Sequence, residues 1–170
     1  MGKRVVITKA GGVSAITTQP MEAPAPGEGE VRIKVAYAGI NFADLLMRMG
    51  FYQPRPAFPF TPGYEASGVI DAIGPGVSGF EIGQRVVAAM RNGGKASFVL
   101  SSVDRVVPLP DGLSLQAAAS TPVTYMTAHH MLHHLGHLRP EDKVLIHGGA
   151  GGVGTAALQL CKWAGVTQVW

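Results

Sequence analysis

The stretch VLIHGGAGGVG, residues 144–154, joins a short apolar run to a cluster of glycines that leads into a helical pattern. Three of the glycines satisfy the spacing G-x-G-x-x-G: Gly149, Gly151 and Gly154. Residues 144–146 predict a buried strand, and apolar residues recur at helical spacing over residues 155–164. Such a turn lets backbone N–H groups and the helix dipole meet a phosphate. The pattern predicts either a dinucleotide-binding turn or a glycine turn that only packs a helix on a sheet.

The position of this turn in the chain limits how much of a nucleotide domain we expect. In a dinucleotide fold, a residue about 20 positions after the first glycine reads the ribose hydroxyl or the 2′-phosphate. Counting from Gly149 reaches Val169 and Trp170, the last residues of the sequence. We therefore expect only the start of such a domain, with at most two of its strands.

Composition argues against several classes of function. The net charge of +3 comes from lysines and arginines scattered along 170 residues, which does not predict a nucleic-acid surface. The single cysteine, Cys161, excludes an internal disulfide and a four-cysteine zinc site. No run of 18 apolar residues predicts a membrane span, and no basic and apolar leader precedes the first strand. We expect a cytoplasmic protein.

The first part of the chain reads as a series of short strands divided by glycine and proline turns, which predicts a barrel-like β domain. Prolines and glycines from Pro20 to Gly29 predict a loop, and prolines from Pro54 to Pro62 predict an extended one. The predicted strands are residues 4–8, 31–35, 66–73, 84–90, 95–101 and 105–107.

Helical patterns follow and interrupt these strands. Asn41 is the expected N-cap of a short helix to Met49, with Asp44 in its first turn. Residues 115–120 predict a helix capped by Ser114 and interrupted by Pro122, and residues 124–135 predict a longer helix ended by Gly136. We expect a domain boundary after residue 123, between a β domain (1–123) and the start of a nucleotide domain (124–170).

Several motifs occur in a shared order along nearly the whole chain. They are AGINFADLLMRMGFY at 38–52, PGYEASG at 62–68, GQRV at 83–86, LPDGLS at 109–114, TYMTA at 124–128 and HGGAGGVG at 147–154. This set resembles the quinone oxidoreductase family of the zinc-independent medium-chain dehydrogenase/reductases. The resemblance implies a β-rich, chaperonin-10-like (GroES-like) partial barrel followed by the truncated start of an α/β Rossmann domain.

Two positions bear on the metal. Asn41 lies where zinc-dependent relatives carry a cysteine, and Tyr64 lies where a G-H-E motif would supply a histidine. Neither an amide nor a phenol is a good ligand for Zn²⁺. We therefore expect no metal at this site.

The resemblance implies an NADPH-dependent reductase of quinones or α,β-unsaturated carbonyls that works by hydride transfer without zinc. Without a metal, hydrogen-bond donors must stabilise the charge that develops on the substrate oxygen. By resemblance, Asn41 and Tyr52 are the catalytic candidates, although both could act only as a helix cap and a loop anchor. The cofactor-binding candidates are Asn41, Thr127, Gly149, Gly151, Gly152, Val153 and Gly154. The implied partners are a small quinone or enone substrate and a second copy in a homodimer.

Two readings compete with this one. A VAT-1-like subgroup of the family shares N-F-A-D-L and P-V-T-Y-M-T-A and implies a non-catalytic binding or lipid-handling module. An enoyl reductase module of a polyketide synthase shares the glycine motif.

A departure from the family pattern is the group of histidines on the predicted long helix. They form pairs four residues apart: His129/His133, His130/His134 and His133/His137. Such pairs can chelate a divalent transition metal. No acidic residue accompanies them, so we expect adventitious affinity for nickel or zinc rather than a functional site.

Overall fold

The computed structural model describes residues 1–54 and 56–170, so Arg55, inside the predicted proline loop, lies outside the described residues. The chain divides into two compact units, Met1–Ser120 and Thr121–Trp170. This division falls three residues before the boundary that the sequence predicts. The domain assignment itself stays a proposal.

The first unit begins with an antiparallel hairpin of β1 (Gly2–Ile7) and β2 (Ile16–Met21). The prediction of a loop at Pro20 is wrong, because Pro20 lies inside β2. Strand β2 pairs only with β1, so a residue without an N–H is tolerated on its other side.

The remaining strands of this unit form a sheet in the order β6-β3-β4-β5-β7 with antiparallel neighbours. In chain order they are β3 (Glu30–Ala38), β4 (Glu65–Ile73), β5 (Arg85–Ala89), β6 (Phe98–Ser102) and β7 (Val106–Pro108). The pairing of β3 with β4 shifts register at Arg32/Ile33 and Val35/Tyr37, and such bulges bend a sheet. The buried side chains on its concave side are Val31, Ile33, Ile70, Val86, Ala88, Val99 and Val106. This curled half-barrel confirms the expected GroES-like fold.

Strand β6 starts later than the predicted residue 95. The backbone of this segment is used elsewhere: Val5 N donates to Lys95 O at 2.9 Å, and Ser97 N donates to Lys3 O at 2.8 Å. Lys95 therefore lies in a loop beside the hairpin rather than in the sheet.

Two α-helices lie among the described residues of the first unit. Helix α1 (Phe42–Met49) follows β3 and ends at Gly50, whose backbone is left-handed (φ 85°), as a helix C-terminus commonly requires. Helix α2 (Leu115–Ala118) begins at Ser114, whose hydroxyl accepts from Ala117 N at 3.1 Å. Both N-caps match the sequence prediction.

The second unit opens with α3 (Pro122–His129) and continues in a π-helical turn, His130–Leu135. Pro122 starts this helix instead of interrupting one, since the first turn needs no N–H from it. The prediction of one α-helix over residues 124–135 is therefore wrong in its second half, where Gly136 N donates to Met131 O at 2.9 Å across the wider turn.

A β-α-β unit completes the second unit. Strand β8 (Lys143–Val144) leads to α4 (Gly152–Trp163), and β9 (Gln168–Val169) pairs with β8 in parallel. The predicted buried strand over residues 144–146 is shorter than expected, and Leu145 is exposed. Alternate residues of a strand face opposite sides, and Ile146, next to Leu145, packs against the cluster between α3 and α4. Ala128 packs with Ala156 and Ala157 where α3 meets α4.

Candidate functional site

The N-terminus of α1 is held by a buried carboxylate. Asp44 accepts hydrogen bonds from Asn41 N at 3.0 Å and Gly63 N at 3.1 Å. Lys95 Nζ forms an ion pair with the same carboxylate at 2.5 Å. Two N–H donors and an ammonium hold this carboxylate in place through charge-assisted hydrogen bonds. Asp44 therefore ties α1, the loop before β4 and the loop before β6 together.

A second buried carboxylate holds the side chain of Asn41. Glu65, the first residue of β4, is 1% exposed and accepts from Asn41 Nδ2 at 2.8 Å. Asn41 and Asp44 also form a capping box at the start of α1. Asn41 is thus bonded through both its backbone and its side chain. Sequence reasoning gave Glu65 no definite role, although a glutamate that opens an apolar strand was a signal.

Two tyrosines lie next to this network. The rings of Tyr52 and Tyr64 pack edge to face with centroids 6.4 Å apart, and Tyr64 Oη lies 3.6 Å from Met47 Sδ. Burial, and after it the neighbouring Tyr52 hydroxyl, raise the pKa of Tyr64 to about 12. Tyr64 is therefore a neutral phenol at physiological pH. It is a hydrogen-bonding group that the sequence analysis considered only as a poor zinc ligand.

The two catalytic candidates, Asn41 and Tyr52, contact neighbouring residues of the chain, Glu65 and Tyr64. Tyr52 packs on Tyr64, and Asn41 is bonded to Glu65. The local arrangement offers one amide and two phenols, all uncharged hydrogen-bonding groups.

The glycine turn lies in the second unit. Gly151 is the N-cap of α4, and its N–H donates to Gly148 O at 2.9 Å. A Cβ on Gly154 would lie 2.6 Å from Gly149 Cα, closer than real side chains come, so only glycine fits there. A cavity of about 520 Å³ adjoins this turn and is lined by Gly148, Gly151, Gly152, Val153 and Gly154, among others. The turn has the strand-turn-helix form that a phosphate requires.

Thr127, the remaining cofactor candidate, lies on α3 in the same unit as the glycine turn. Its side chain is exposed and lines a cavity of about 820 Å³ with Tyr125, Met126 and His130. The hydroxyl of Tyr125 donates to Gln159 Oε1 at 2.7 Å, which joins α3 to α4 beside this cavity.

Two of the three predicted histidine pairs form on the helix, whereas His137 lies beyond its end with a left-handed backbone (φ 48°). The ring centroids of His129 and His133 lie 4.7 Å apart, as do those of His130 and His134. Among the described residues, no three or more histidine, cysteine or carboxylate side chains converge as a metal site would need. Burial raises the pKa of the Cys161 thiol, which makes it a poor nucleophile or ligand.

None of the described helices combines the length and apolar character that a membrane crossing requires.

Part of the first unit matches a known domain family, and most of the chain matches known proteins. Residues 27–111 match the alcohol dehydrogenase GroES-like domain. The synaptic vesicle membrane protein VAT-1 homolog of Danio rerio is 43% identical over 94% of this chain and 33% of its own length. The quinone oxidoreductase of Rattus norvegicus is 39% identical over 84% of this chain and 44% of its own. The chain thus spans less than half the length of these relatives.

Solved structures with the same fold match nearly the whole of this chain. The human VAT-1 homolog-like protein superposes with a TM-score of 0.94 at 38% identity, over 99% of this chain and 54% of that one. CurK enoyl reductase gives 0.92 at 34% identity, over 99% and 53%. A mycobacterial protein solved with NADPH gives 0.89 at 35% identity, over 99% and 52%. With the curled sheet and the family motifs, these matches show that the chain belongs to the quinone oxidoreductase family of the medium-chain dehydrogenase/reductases.

Proposed function

We propose that the complete gene product is an NADPH-dependent reductase of quinones or α,β-unsaturated carbonyls that uses no zinc. The observation that carries the proposal is the group of uncharged hydrogen-bonding side chains that flank α1: Asn41, Tyr52 and Tyr64. Asn41 and Tyr64 occupy the positions at which zinc-dependent relatives carry metal ligands.

When bound, NADPH would supply a hydride to the β-carbon of an enone or to a quinone, which would leave an enolate or a hydroquinone anion. The electron pair displaced by the hydride moves to the substrate oxygen, which becomes negative and then takes up a proton. The residues of this chain stabilise that oxygen by donating hydrogen bonds. Tyr52 and the second N–H of Asn41 are the proposed donors. Tyr64, kept protonated, orients the Tyr52 ring.

The glycine turn is the proposed pyrophosphate site. Gly149 and Gly151 leave the N-terminus of α4 free of side chains, and Gly154 lets the helix approach Gly149 closely, so that backbone N–H groups can meet the phosphate. Gly152, Val153 and Gly154 form the first turn of α4, and Thr127 is the proposed hydroxyl contact for the nicotinamide end. The NADPH complex of the mycobacterial relative supports this choice of cofactor.

The family resemblance extends the proposal to a cytoplasmic homodimer. The similarity to CurK enoyl reductase favours enones within the substrate class. A second candidate, a VAT-1-like binding module, is favoured by the similarity to the VAT-1 homologues.

Oxidation of NADPH by the purified complete gene product tests the proposal. A quinone and an enone should each be reduced in a buffer treated with chelator. One molecule of substrate should be reduced, by two electrons, for each NADPH that is oxidised. Saturated carbonyls and alcohols serve as control substrates and should give no turnover. Activity that appears only after zinc is added, or no NADPH binding at all, would overturn the proposal and favour the binding module.

A further inference from the structure

Glu65 is a buried charge that the proposed chemistry leaves unexplained. Its carboxylate is 1% exposed at the start of β4, between Tyr64 and Ala66. Burying a carboxylate costs several kcal/mol unless it is hydrogen-bonded. The contacts that Glu65 makes must therefore offset that cost. Its partner on the α1 side is Asn41 Nδ2, at 2.8 Å.

The chain makes room for this carboxylate at Gly39. A Cβ on Gly39 would lie 2.7 Å from Ala119 O and would overlap Glu65 Oε1. The backbone of Gly39 also donates to Glu65 O at 3.3 Å. Only glycine at this position lets Glu65 reach towards Asn41.

The contact fixes which way round the Asn41 amide lies. An ionised carboxylate accepts hydrogen bonds and donates none, so the nitrogen of the amide must face Glu65. Asp44 N donates to the backbone oxygen of Asn41 at 3.0 Å at the first turn of α1. Asp44, itself paired with Lys95, holds the Asn41 backbone at 3.0 Å. An amide nitrogen carries two hydrogens, so it can donate a second bond while Glu65 holds the first.

We propose that Glu65 is a positioning residue whose buried carboxylate orients the Asn41 amide for the nicotinamide end of the cofactor. This inference rests on the proposed function, because Asn41 meets the cofactor only if the protein binds NADPH. A preorganised donor gains affinity because no rotation of the amide has to be arrested on binding. Glu65 acts through Asn41 and touches no ligand itself.

Glu65→Gln is the variant that tests this role, because it keeps the shape and removes the acceptor-only character. A glutamine can donate as well as accept, so the Asn41 amide is free to rotate by half a turn. In the complete gene product, the Kd for NADPH should rise roughly tenfold. The Kd for 2′-phospho-ADP-ribose, which lacks the nicotinamide, should change by less than about twofold. Glu30→Gln is the matched control, since Glu30 accepts from Gly27 N at 3.0 Å elsewhere in the unit.

A double-mutant cycle separates positioning from general damage. Asn41→Ala alone should raise the Kd for NADPH. Adding Glu65→Gln to Asn41→Ala should raise that Kd by less than about twofold more. Additive losses would overturn the proposal, as would an equal loss of affinity for the cofactor without its nicotinamide.

Side-chain amide exchange tests the same contact without any variant or cofactor. In the wild-type protein, the Nδ2 hydrogens of Asn41 should exchange with solvent at least roughly tenfold more slowly than those of exposed Asn92. Equal exchange rates would overturn the inference even if NADPH binds. If NADPH does not bind but Asn41 exchange is slow, the orientation of the amide stands while its role at a cofactor falls with the proposed function.

Discussion

The two compact units prepare their candidate sites by different means. In the first, buried carboxylates hold side chains in place: Asp44 fixes the start of α1, and Glu65 holds the Asn41 amide. In the second, the glycine turn offers backbone groups, and large apolar side chains such as Leu145, Trp163 and Trp170 are exposed. The site made of side chains depends on an ion pair between residues far apart in the sequence. The site made of backbone groups depends on close packing around its glycines. Substitutions should therefore damage the two units by different mechanisms.

The largest expected effect concerns cofactor binding by the 170-residue chain alone. The glycine turn can meet a pyrophosphate, but such a contact leaves most of the cofactor in water and does not recover the cost of immobilising it. We expect no saturable NADPH binding in calorimetry. One-to-one binding with a micromolar Kd would show that the second unit is a more complete site than its backbone groups suggest.

Removing the ammonium from the buried ion pair should be the most destabilising change in the first unit. Lys95→Met leaves the Asp44 carboxylate, 6% exposed, without its cation. Breaking a buried pair from one side costs about 3 kcal/mol or more. Hydrogen exchange of the amides in β3 and β4 measures the loss.

Lys34→Met is the matched control for this change, because Lys34 is exposed on β3. It should alter the free energy of unfolding by less than about 0.5 kcal/mol. Similar losses in the two variants would mean that the Asp44 pair does not hold the first unit together.

Replacing Tyr52 by Phe tests the donor site in the complete gene product. Loss of one donor to a developing oxyanion lowers turnover by roughly 10²-fold. The Phe ring still packs on Tyr64, so the fold should be unaffected. Tyr37→Phe, at an exposed tyrosine of β3, is the control and should keep wild-type turnover. Wild-type turnover of both quinones and enones by Tyr52→Phe would remove Tyr52 from the catalytic residues.

Close packing in the second unit can be tested at two glycines of the same turn. Gly154→Ala places a Cβ 2.6 Å from Gly149 Cα, whereas a Cβ on Gly149 would have its nearest contact at 3.8 Å. We expect Gly154→Ala to lower the free energy of unfolding of this unit by about 2 kcal/mol, and Gly149→Ala to be nearly neutral. Both tryptophans, Trp163 and Trp170, lie in this unit, so their fluorescence in urea reports it alone. Equal midpoints for the two variants would contradict the close approach.

Local signals in the sequence account for much of this fold, and long-range contacts account for what it missed. The cap at Asn41, the stop at Gly50 and the alternation through Val31 and Ile33 are properties of neighbouring residues. The GroES-like fold follows from such elements and from the family motifs. The partnership of Lys95 with Asp44 spans 51 residues and leaves no local pattern.

Two predictions made from neighbouring residues were wrong, because the sequence at those places does not distinguish the structure that forms. Strand β2 includes Pro20 and polar residues, so only its pairing with β1 makes it a strand. The π turn after His129 has no composition that distinguishes it from an α-helix. Of the candidate site, the sequence indicated Asn41 and Tyr52 but not the side chains that hold them, because burial and register are set by the sheet.

The smallest expected effect is a change in stability at alkaline pH caused by Tyr64. Its folded pKa is raised from 10.0 to about 12, chiefly by burial, so the folded protein favours the protonated phenol. This contribution is fully present below pH 10 and is lost as the pH rises towards 12. Because Tyr64 is only half-buried, solvent reduces the contribution to about 1 kcal/mol.

Tyr64→Phe should isolate this contribution, because it removes the titrating group and keeps the ring. Between pH 10 and pH 12, the free energy of unfolding should fall less steeply in Tyr64→Phe than in the wild type, by about 1 kcal/mol over the window. Tyr37→Phe removes an exposed phenol and should leave the wild-type slope unchanged. Identical slopes for all three proteins would mean that Tyr64 is as well solvated as a surface tyrosine. The Tyr52–Tyr64 pair would then be a packing contact on the first unit and not a site that keeps a phenol protonated.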